Sequence, residues 1–279
     1  MKSEDAEVLE AYKDIRECVQ SILRSRLQTQ ILLSLCRGIK TLGQLREVTG
    51  SSSQAIIPKI RKLESLHLVE GENREYRLTP VGKVVSSGID DIIRTIGTFR
   101  RHDDFWANHY IEAIPKPLLK DISDLLDSEI VIDANADIFR SYANFLQILK
   151  DADRIWGVSS VTTPGFTEAI VGRVREGIDV DLVVSRDIAE QLALQEPYKE
   201  CLRALAGYPN FRLRATDKEM KLGVTVTDKC LSLGLYKKDE ITYDRSMDLI
   251  SCDEKAIRWG ERLFNYYKER SRIIDANAL

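Results

Sequence analysis

Nowhere in its 279 residues does the chain carry an apolar run of eighteen, a CxxC pair, a GxGxxG fingerprint or a phosphate-binding P-loop. The first absence excludes a membrane-spanning helix, and the last two remove the common nucleotide-binding signatures. The charged amino terminus, MKSEDAEVLE, does not read as a signal peptide, so a cytoplasmic protein with no membrane partner is expected. Cys18, Cys36, Cys201, Cys230 and Cys252 are scattered, which suggests neither a zinc site nor a disulfide framework and fits a reducing compartment. Histidine is scarcer still: His67, His102 and His109 all lie before Tyr110 and leave the rest of the chain without an imidazole. No metal and no cofactor are expected.

What is present divides unevenly. The length suits two domains, each able to bury its own core. Between Arg24 and Lys83 eleven Lys or Arg face five acids, a balance of +6, although the whole chain is −3. A basic block beside an acidic remainder fits a nucleic-acid module joined to something that does not bind polyanions, the alternative being chance variation in surface charge.

The basic block has a recognisable order. Val19, Ile22, Leu23, Leu27, Ile31, Leu32 and Leu35 recur at helical spacing and predict one helix ending near Gly38. Thr41 then stands as an N-cap, and LGQLREV predicts a second helix with Leu42, Leu45 and Val48 inward, stopped by Gly50. Ser51, Ser52 and Ser53 form a turn whose hydroxyls can cap the next helix or bind phosphate. That helix, QAIIPKIRKLESL, directs Ile56, Ile60, Leu63 and Leu66 inward and leaves Gln54, Ile57, Lys59, Arg61 and Lys62 on other faces. Gln, Arg and Lys suit base edges and phosphates in a major groove, although such a set also describes a solvated helix face. Pro58 implies a late start near Ala55 or a kink.

Two short strands, 67–70 and 75–78, flank a polar tip at 71–74 in which Arg74 can reach a minor groove or stand as a surface cation. His67 occupies the helix-end position where glycine is usual. The whole reads as a winged helix-turn-helix over residues 1–80, with double-stranded DNA as its partner. Residues 81–116 follow as a helical linker, predicted helical to about Ile111, whose stripe of Val84, Val85, Ile89, Ile92, Ile93, Ile96 and Phe99 favours homodimerisation over packing within the chain.

Residues 117–279 alternate strands with helices. Strands are predicted at 129–132, 154–158, 178–184, 211–215, 222–227 and 231–236, and helices at 137–150, 163–176, 188–206 and 253–272. The fold class is therefore α+β with α/β character: a winged helix-turn-helix, a helical linker and a mixed-sheet α/β domain.

The segments LESLHLVE and YRLTPVGK resemble many archaeal and bacterial winged-helix repressors. HYIEAIP, RIWGVSS, REGIDVDLVVS, KLGVTVTDKCLSLGLY and AIRWGERLFNYYKERS resemble the sensor region of the archaeal methanogenesis regulatory proteins, in which a winged helix-turn-helix precedes a middle domain. The sensor also resembles a degenerate phospholipase D-type fold, similar to that of the archaeal sugar-sensing regulators. In the catalytic relatives an H-x-K pair precedes an Asp. The matching stretch, Lys221 to Asp228, has lysine for histidine and glycine for lysine, so the resemblance implies no phosphodiesterase chemistry and leaves Asp228 as a turn residue.

Binding remains. Ligands collect at the carboxyl ends of strands in open α/β sheets, which nominates Trp156, Ser159, Ser160, Ser185, Arg186 and Lys221 for a small effector. Trp156 also suits the core, and Arg186 a plain surface cation. The expected function is sequence-specific transcriptional regulation by a non-enzymatic, effector-sensing dimer. The alternatives are a nucleotide- or phosphodiester-acting enzyme with a helical amino-terminal interaction module, and a winged helix that binds protein.

Overall fold

A computed structural model describes residues 4–133 and 139–274, and divides the chain into two units, Met1–Arg94 and Thr95–Leu279. In the first, α1 (Glu4–Arg24) and α2 (Arg26–Leu35) are followed by β1 (Lys40–Thr41), α3 (Leu42–Thr49), α4 (Ser53–Ser65), β2 (Val69–Glu72) and β3 (Glu75–Leu78). The expected single first helix is in fact two. Ser25 leaves helical geometry at ψ 97° and its hydroxyl accepts the Gln28 amide, capping α2. Leu23, expected inward, is consequently exposed, as is Val48 on α3.

Capping explains the next boundaries. The Thr41 hydroxyl accepts the Gln44 amide at 3.3 Å while the Gln44 side chain accepts the Thr41 amide at 2.9 Å, a reciprocal box. Gly50 closes α3 at φ +63°, a conformation that favours glycine. Ser52 caps α4, which starts at Ser53 and not near Ala55. Pro58 lies inside this helix on its exposed side, so the Gln54 carbonyl deprived of a partner faces solvent. His67 takes the left-handed position after α4, where the Leu68 amide donates to the Leu63 carbonyl. Ile31, Leu32, Leu45, Ile56, Ile60 and Leu63 make the shared core.

The hairpin pairs Glu72 with Glu75 and turns through Asn73 and Arg74, both at positive φ. Such a two-residue turn matches strand twist, so the tip is shorter than expected and β2 begins at Val69, beyond His67. β1 joins β3 to complete a three-stranded antiparallel sheet.

α5 (Pro80–Arg101) begins beneath this sheet and stops ten residues short of the expected Ile111. α6 (Asp103–Asn108), a 3₁₀ turn (Ile111–Ala113), α7 (Lys116–Lys120) and another 3₁₀ turn (Ile122–Leu125) replace the predicted continuation. Then come β4 (Glu129–Ile132), α8 (Arg140–Lys150), β5 (Arg154–Ser159), α9 (Pro164–Arg175), β6 (Asp179–Ser185), α10 (Arg186–Leu194), α11 (Tyr198–Leu205), β7 (Phe211–Thr216), β8 (Leu222–Thr227), β9 (Leu231–Leu235), β10 (Met247–Ser251), α12 (Glu254–Lys268) and β11 (Arg272–Ile273). The expected start of α8 at Asp137 lies outside the described residues. β10 and β11 were not anticipated from sequence, and 188–206 is two helices.

The eight strands form one mixed sheet in the order β11-β7-β6-β5-β8-β9-β10-β4, parallel only across β5, β6 and β7. Leu222, Val224, Val226, Leu231, Leu233 and Leu249 point to one face, where Trp259, Leu263 and Phe264 of α12 are fully buried against it. The Trp259 indole donates to the Leu118 carbonyl at 3.0 Å and ties α12 to α7. The cysteine expectation needs correction. Cys230 and Cys252 form a disulfide with a Cα–Cα distance of 4.2 Å. Leu231 and Ser251 are cross-strand partners, so the residues just outside them are adjacent despite a sequence separation of 22.

Two glycines of α5 test the packing. A Cβ on Gly82 would stand 1.9 Å from the Leu68 carbonyl oxygen, whereas one on Gly88 would meet nothing within 4 Å. Gly88→Ala should therefore stabilise the chain by about 0.5–1 kcal/mol through helix propensity, and Gly82→Ala should destabilise it by about 1–3 kcal/mol or more. Chemical denaturation of the two variants measures both; equal effects would contradict the close approach of α5 to Leu68.

Candidate functional sites

On α4 the buried side chains Ile56, Ile60 and Leu63 fix the opposite face outward. Gln54, Ile57, Arg61 and Lys62 are exposed there, while Lys59 is half-buried at the flank. Arg61 pairs with Glu64 at 2.8 Å, so part of its charge is already engaged. Among the serines, Ser52 is committed to its cap, whereas Ser51 and Ser53 are half-buried beside it. Arg74 is exposed at the hairpin tip. The strands behind it hold Glu70, Glu72 and Glu75, and Arg77 is paired with Glu70 at 2.6 Å and Glu72 at 3.2 Å. The positive balance of residues 24–83 thus lies mainly outside the hairpin, which adds one unpaired guanidinium among acids.

The second unit contains a cavity of about 750 Å³ on the sheet face opposite α12. Its origin is the two-residue side-chain period of the strands. Where Val224 and Leu233 face α12, their neighbours on the other face are Gly223 and Thr225 of β8 and Ser232 and Gly234 of β9. Gly223 and Gly234 are direct cross-strand partners, and Gly157 of β5 lies on the same side. Small residues therefore leave the floor low. Tyr142 and Phe145 of α8 and Phe166 of α9 wall it, with ring centroids 5.6 Å and 4.6 Å from Phe166. Leu192 of α10 and Leu202 of α11 extend the apolar wall.

One end of the cavity is polar, with Asp133, Ser141, Tyr243, Arg245 and Asp248 converging. The Asp133 carboxylate accepts the Ser141 amide at 2.7 Å, which fixes the start of α8. A Cβ on Gly234 would stand 2.0 Å from the Tyr243 hydroxyl and 2.8 Å from Asp248 Oδ1, so both atoms close on the space that glycine leaves. Burial, then the neighbouring charges of Asp133 and Asp244, push the Asp248 carboxyl up to about 7. Burial, then Asp248, raise the Tyr243 phenol well above its ordinary value and keep it protonated.

Of the six effector candidates read from sequence, Ser159 alone lines this cavity. Its hydroxyl is shared with the Val161 backbone. Trp156 lies on the other face, stacked on Phe264 with centroids 5.1 Å apart and covered by Arg154. Ser160 donates to the Leu222 carbonyl at 3.0 Å, and Ser185 caps α10. Arg186 is paired with Asp217. Lys221 lies between Glu240 at 2.7 Å and Glu219 at 2.9 Å, hydrogen bonds that raise its pKa and hold its charge. Strand-end position alone could not distinguish these engaged groups from free ones. Asp228 accepts the Asp153 and Arg154 amides at 2.8 Å and 3.3 Å, the role of a turn residue. Burial would raise its carboxyl, but these amides and its own outweigh that and hold it below the usual range. Among the described residues no group of three His, Cys, Asp or Glu could hold a metal, and no helix is long and apolar enough to cross a membrane.

The cavity residues that the sequence reading did not nominate include Asp248 and Tyr243. β10 gives a weak period because it is five residues between polar stretches, although Met247 and Leu249 on either side of Asp248 carry the alternation.

Residues 16–97 match the family model for the N-terminal domain of methanogenesis regulatory protein FilR1, and residues 138–270 match that for its middle domain. The chain is 29% identical over 269 residues to methanogenesis regulatory protein FilR1 of Methanothrix harundinacea, covering 96% of this chain but 60% of that protein. Among solved structures, TrmBL2, an archaeal chromatin protein with a novel mode of DNA binding, is similar at a TM-score of 0.41 and 16% identity over 94% of this chain and 100% of its own. Phosphatidylserine synthase of Haemophilus influenzae is similar at a TM-score of 0.39 and 12% identity over 55% of this chain and 41% of its own.

The raised Asp248 pKa makes stability depend on pH. An unfolded aspartate ionises near about pH 4, whereas the folded one holds its proton to about pH 7. The native state binds the extra proton, so stability falls as pH rises through that window and is constant above it. Asp248→Asn should remove this loss. Its melting temperature should exceed that of the parent by a margin that widens from about pH 4 to about pH 7; a constant margin would show that Asp248 is not a strained carboxylate.

Proposed function

We propose that this chain, whose two domains both match the methanogenesis regulatory protein FilR1 family, is a DNA-binding transcriptional regulator that acts as a homodimer and senses a small effector. The observation that carries the reading is α4: a capped helix, backed by three fully buried aliphatic side chains, that presents Gln54, Ile57, Arg61 and Lys62 to solvent beside a short turn and a hairpin. That arrangement supports the reading of residues 1–80 as a winged helix-turn-helix. In it Gln54 and Arg61 face base edges, while Lys62, Lys59 and the turn of Ser51, Ser52 and Ser53 contact phosphate. Arg74 is the one hairpin residue free to enter a groove, because acids surround Arg77.

A second copy is the partner proposed for α5. Val81, Val84, Ile92, Ile93 and Ile96 of this helix are exposed at 40–75%. Pairing two such helices removes apolar surface from water and sets two recognition helices at the spacing of two half-sites. α5 also runs unbroken through the division between the units at residues 94 and 95. A ligand that favours one arrangement of the α/β unit can thereby bias the spacing of the two reading heads, provided it binds the two arrangements unequally. The cavity beneath α8 and α9 is the proposed effector site.

Two measurements test this. Fluorescence anisotropy of the full chain on promoter fragments from around its own gene should show binding that weakens steeply with salt. Lys62→Ala should reduce the logarithmic salt slope by about one, and Arg61→Ala should also relax base preference. Binding that is insensitive to salt and to both substitutions would overturn the DNA-binding reading. Light scattering should give a dimer for the parent and a monomer for Ile92→Glu with Ile96→Glu; a dimer in both would place the interface elsewhere.

A further inference from the structure

The cavity tells more than that a ligand fits. Its walls are aromatic and aliphatic, but its polar end is acidic: Asp133 and Asp248 line it, and Arg245 is the one lining cation among the described residues. Arg245 is exposed to solvent. Asp133 is satisfied by the Ser141 amide. Asp248 is different: it is half-buried on the cavity wall, and among the described residues only like charges, Asp133 and Asp244, are coupled to it. Burying a carboxyl group without a partner is costly unless something else completes it.

The surroundings show where that something would stand. Gly223 and Gly234 oppose each other in adjacent strands and both would clash with the Tyr243 hydroxyl if they carried a Cβ, at 2.8 Å and 2.0 Å respectively. The absence of two side chains thus admits the phenol, and the phenol ends beside Asp248 Oδ1. The pair offers a carboxyl that a neighbouring cation would hold ionised as an acceptor, and a hydroxyl that can donate or accept. Thr225 and Ser232, cross-strand partners one step along the same face, also line the cavity. A cation answers this end better than an anion does: a ligand carboxylate or phosphate would add negative charge beside the Asp133 and Asp248 carboxyls, where the solvent-exposed Arg245 is the one lining cation among the described residues.

Resting on the reading of this cavity as the effector site, we infer that its ligand is an apolar amine: a hydrophobic body of aromatic or aliphatic carbon against Tyr142, Phe145 and Phe166, with a protonated amino group between Asp248 and Tyr243. The ammonium supplies the three donors and the positive charge that Asp248 lacks. A hydroxyl in the same place supplies one donor and no charge. The two cations nominated from sequence, Arg186 and Lys221, take no part in it: both are spent on neighbouring acids outside the cavity.

The test is calorimetric titration of the full chain with three probes that share one body: naphthylmethylamine, naphthalenemethanol and naphthoate. The amine should bind tightest, the alcohol about tenfold to a hundredfold more weakly, the difference expected for a charge-assisted contact, and the acid not measurably. Asp248→Asn should lose that preference so that amine and alcohol bind alike. Tyr243→Phe, which removes one hydroxyl and keeps the ring on its glycine floor, should weaken the amine several-fold. Binding of the acid at or above the strength of the amine, an amine preference unchanged by Asp248→Asn, or failure of all three probes to bind would each overturn the amine assignment. Operator binding measured with the amine present separates this from the broader reading. An amine that binds through Asp248 yet leaves DNA affinity unchanged would uphold the ligand class and remove the effector role.

Discussion

The alternation of side chains along β8 and β9 is the constraint on which the carboxyl-terminal unit depends. Successive residues of a strand must face opposite ways, and here the two faces received opposite inventories. Leu222, Val224, Val226, Leu231, Leu233 and Leu235 are buried beneath α12 and the helices that lead into the sheet. Each fully buried aliphatic of this kind contributes roughly 1.5–3 kcal/mol relative to exposure, so that face supplies the cohesion. The opposite face is thereby free to be thin. Gly223, Thr225, Ser232 and Gly234 contribute little to packing, and the volume they leave unfilled is the cavity.

A different balance governs the amino-terminal unit, where the interactions are local. Ser25, Thr41 and Ser52 each accept an amide from the first turn of the helix they begin, and Gly50 closes the helix between the last two. These caps fix where α3 stops and α4 starts, and so determine which residues of α4 face outward. The core needs only aliphatics at three- and four-residue spacing to back that presentation. Its hairpin is less cationic than a count of arginines suggests, because Arg77 is held by Glu70 and Glu72.

Local signals were legible and long-range ones were not. Thr41, Gly50 and His67 each announced a helix end, because capping depends on residues three or four positions away. Ser25 was passed over because a hydrophobic period ran through it, and the period belongs to two helices that share one core. The apolar pattern of α5 continued past its end, since the aromatic residues Phe105 and Trp106 of α6 extend the same period in a separate helix. Cys230 and Cys252 looked unrelated at a separation of 22 until β9 and β10 were paired.

By itself, then, the sequence determined the helical and strand periods, the capped entry to α4, the basic balance of residues 24–83 and the absence of histidine after His109. Those properties are carried by neighbours along the chain. Tertiary structure alone decided which small residues share a face, that Gly223 opposes Gly234, and that Asp248 from β10 meets Tyr243 from the preceding loop. It also decided that Trp156, Arg186 and Lys221 are occupied by other partners. The reason is that a cavity is defined by what is missing between distant strands, and no local pattern records a space.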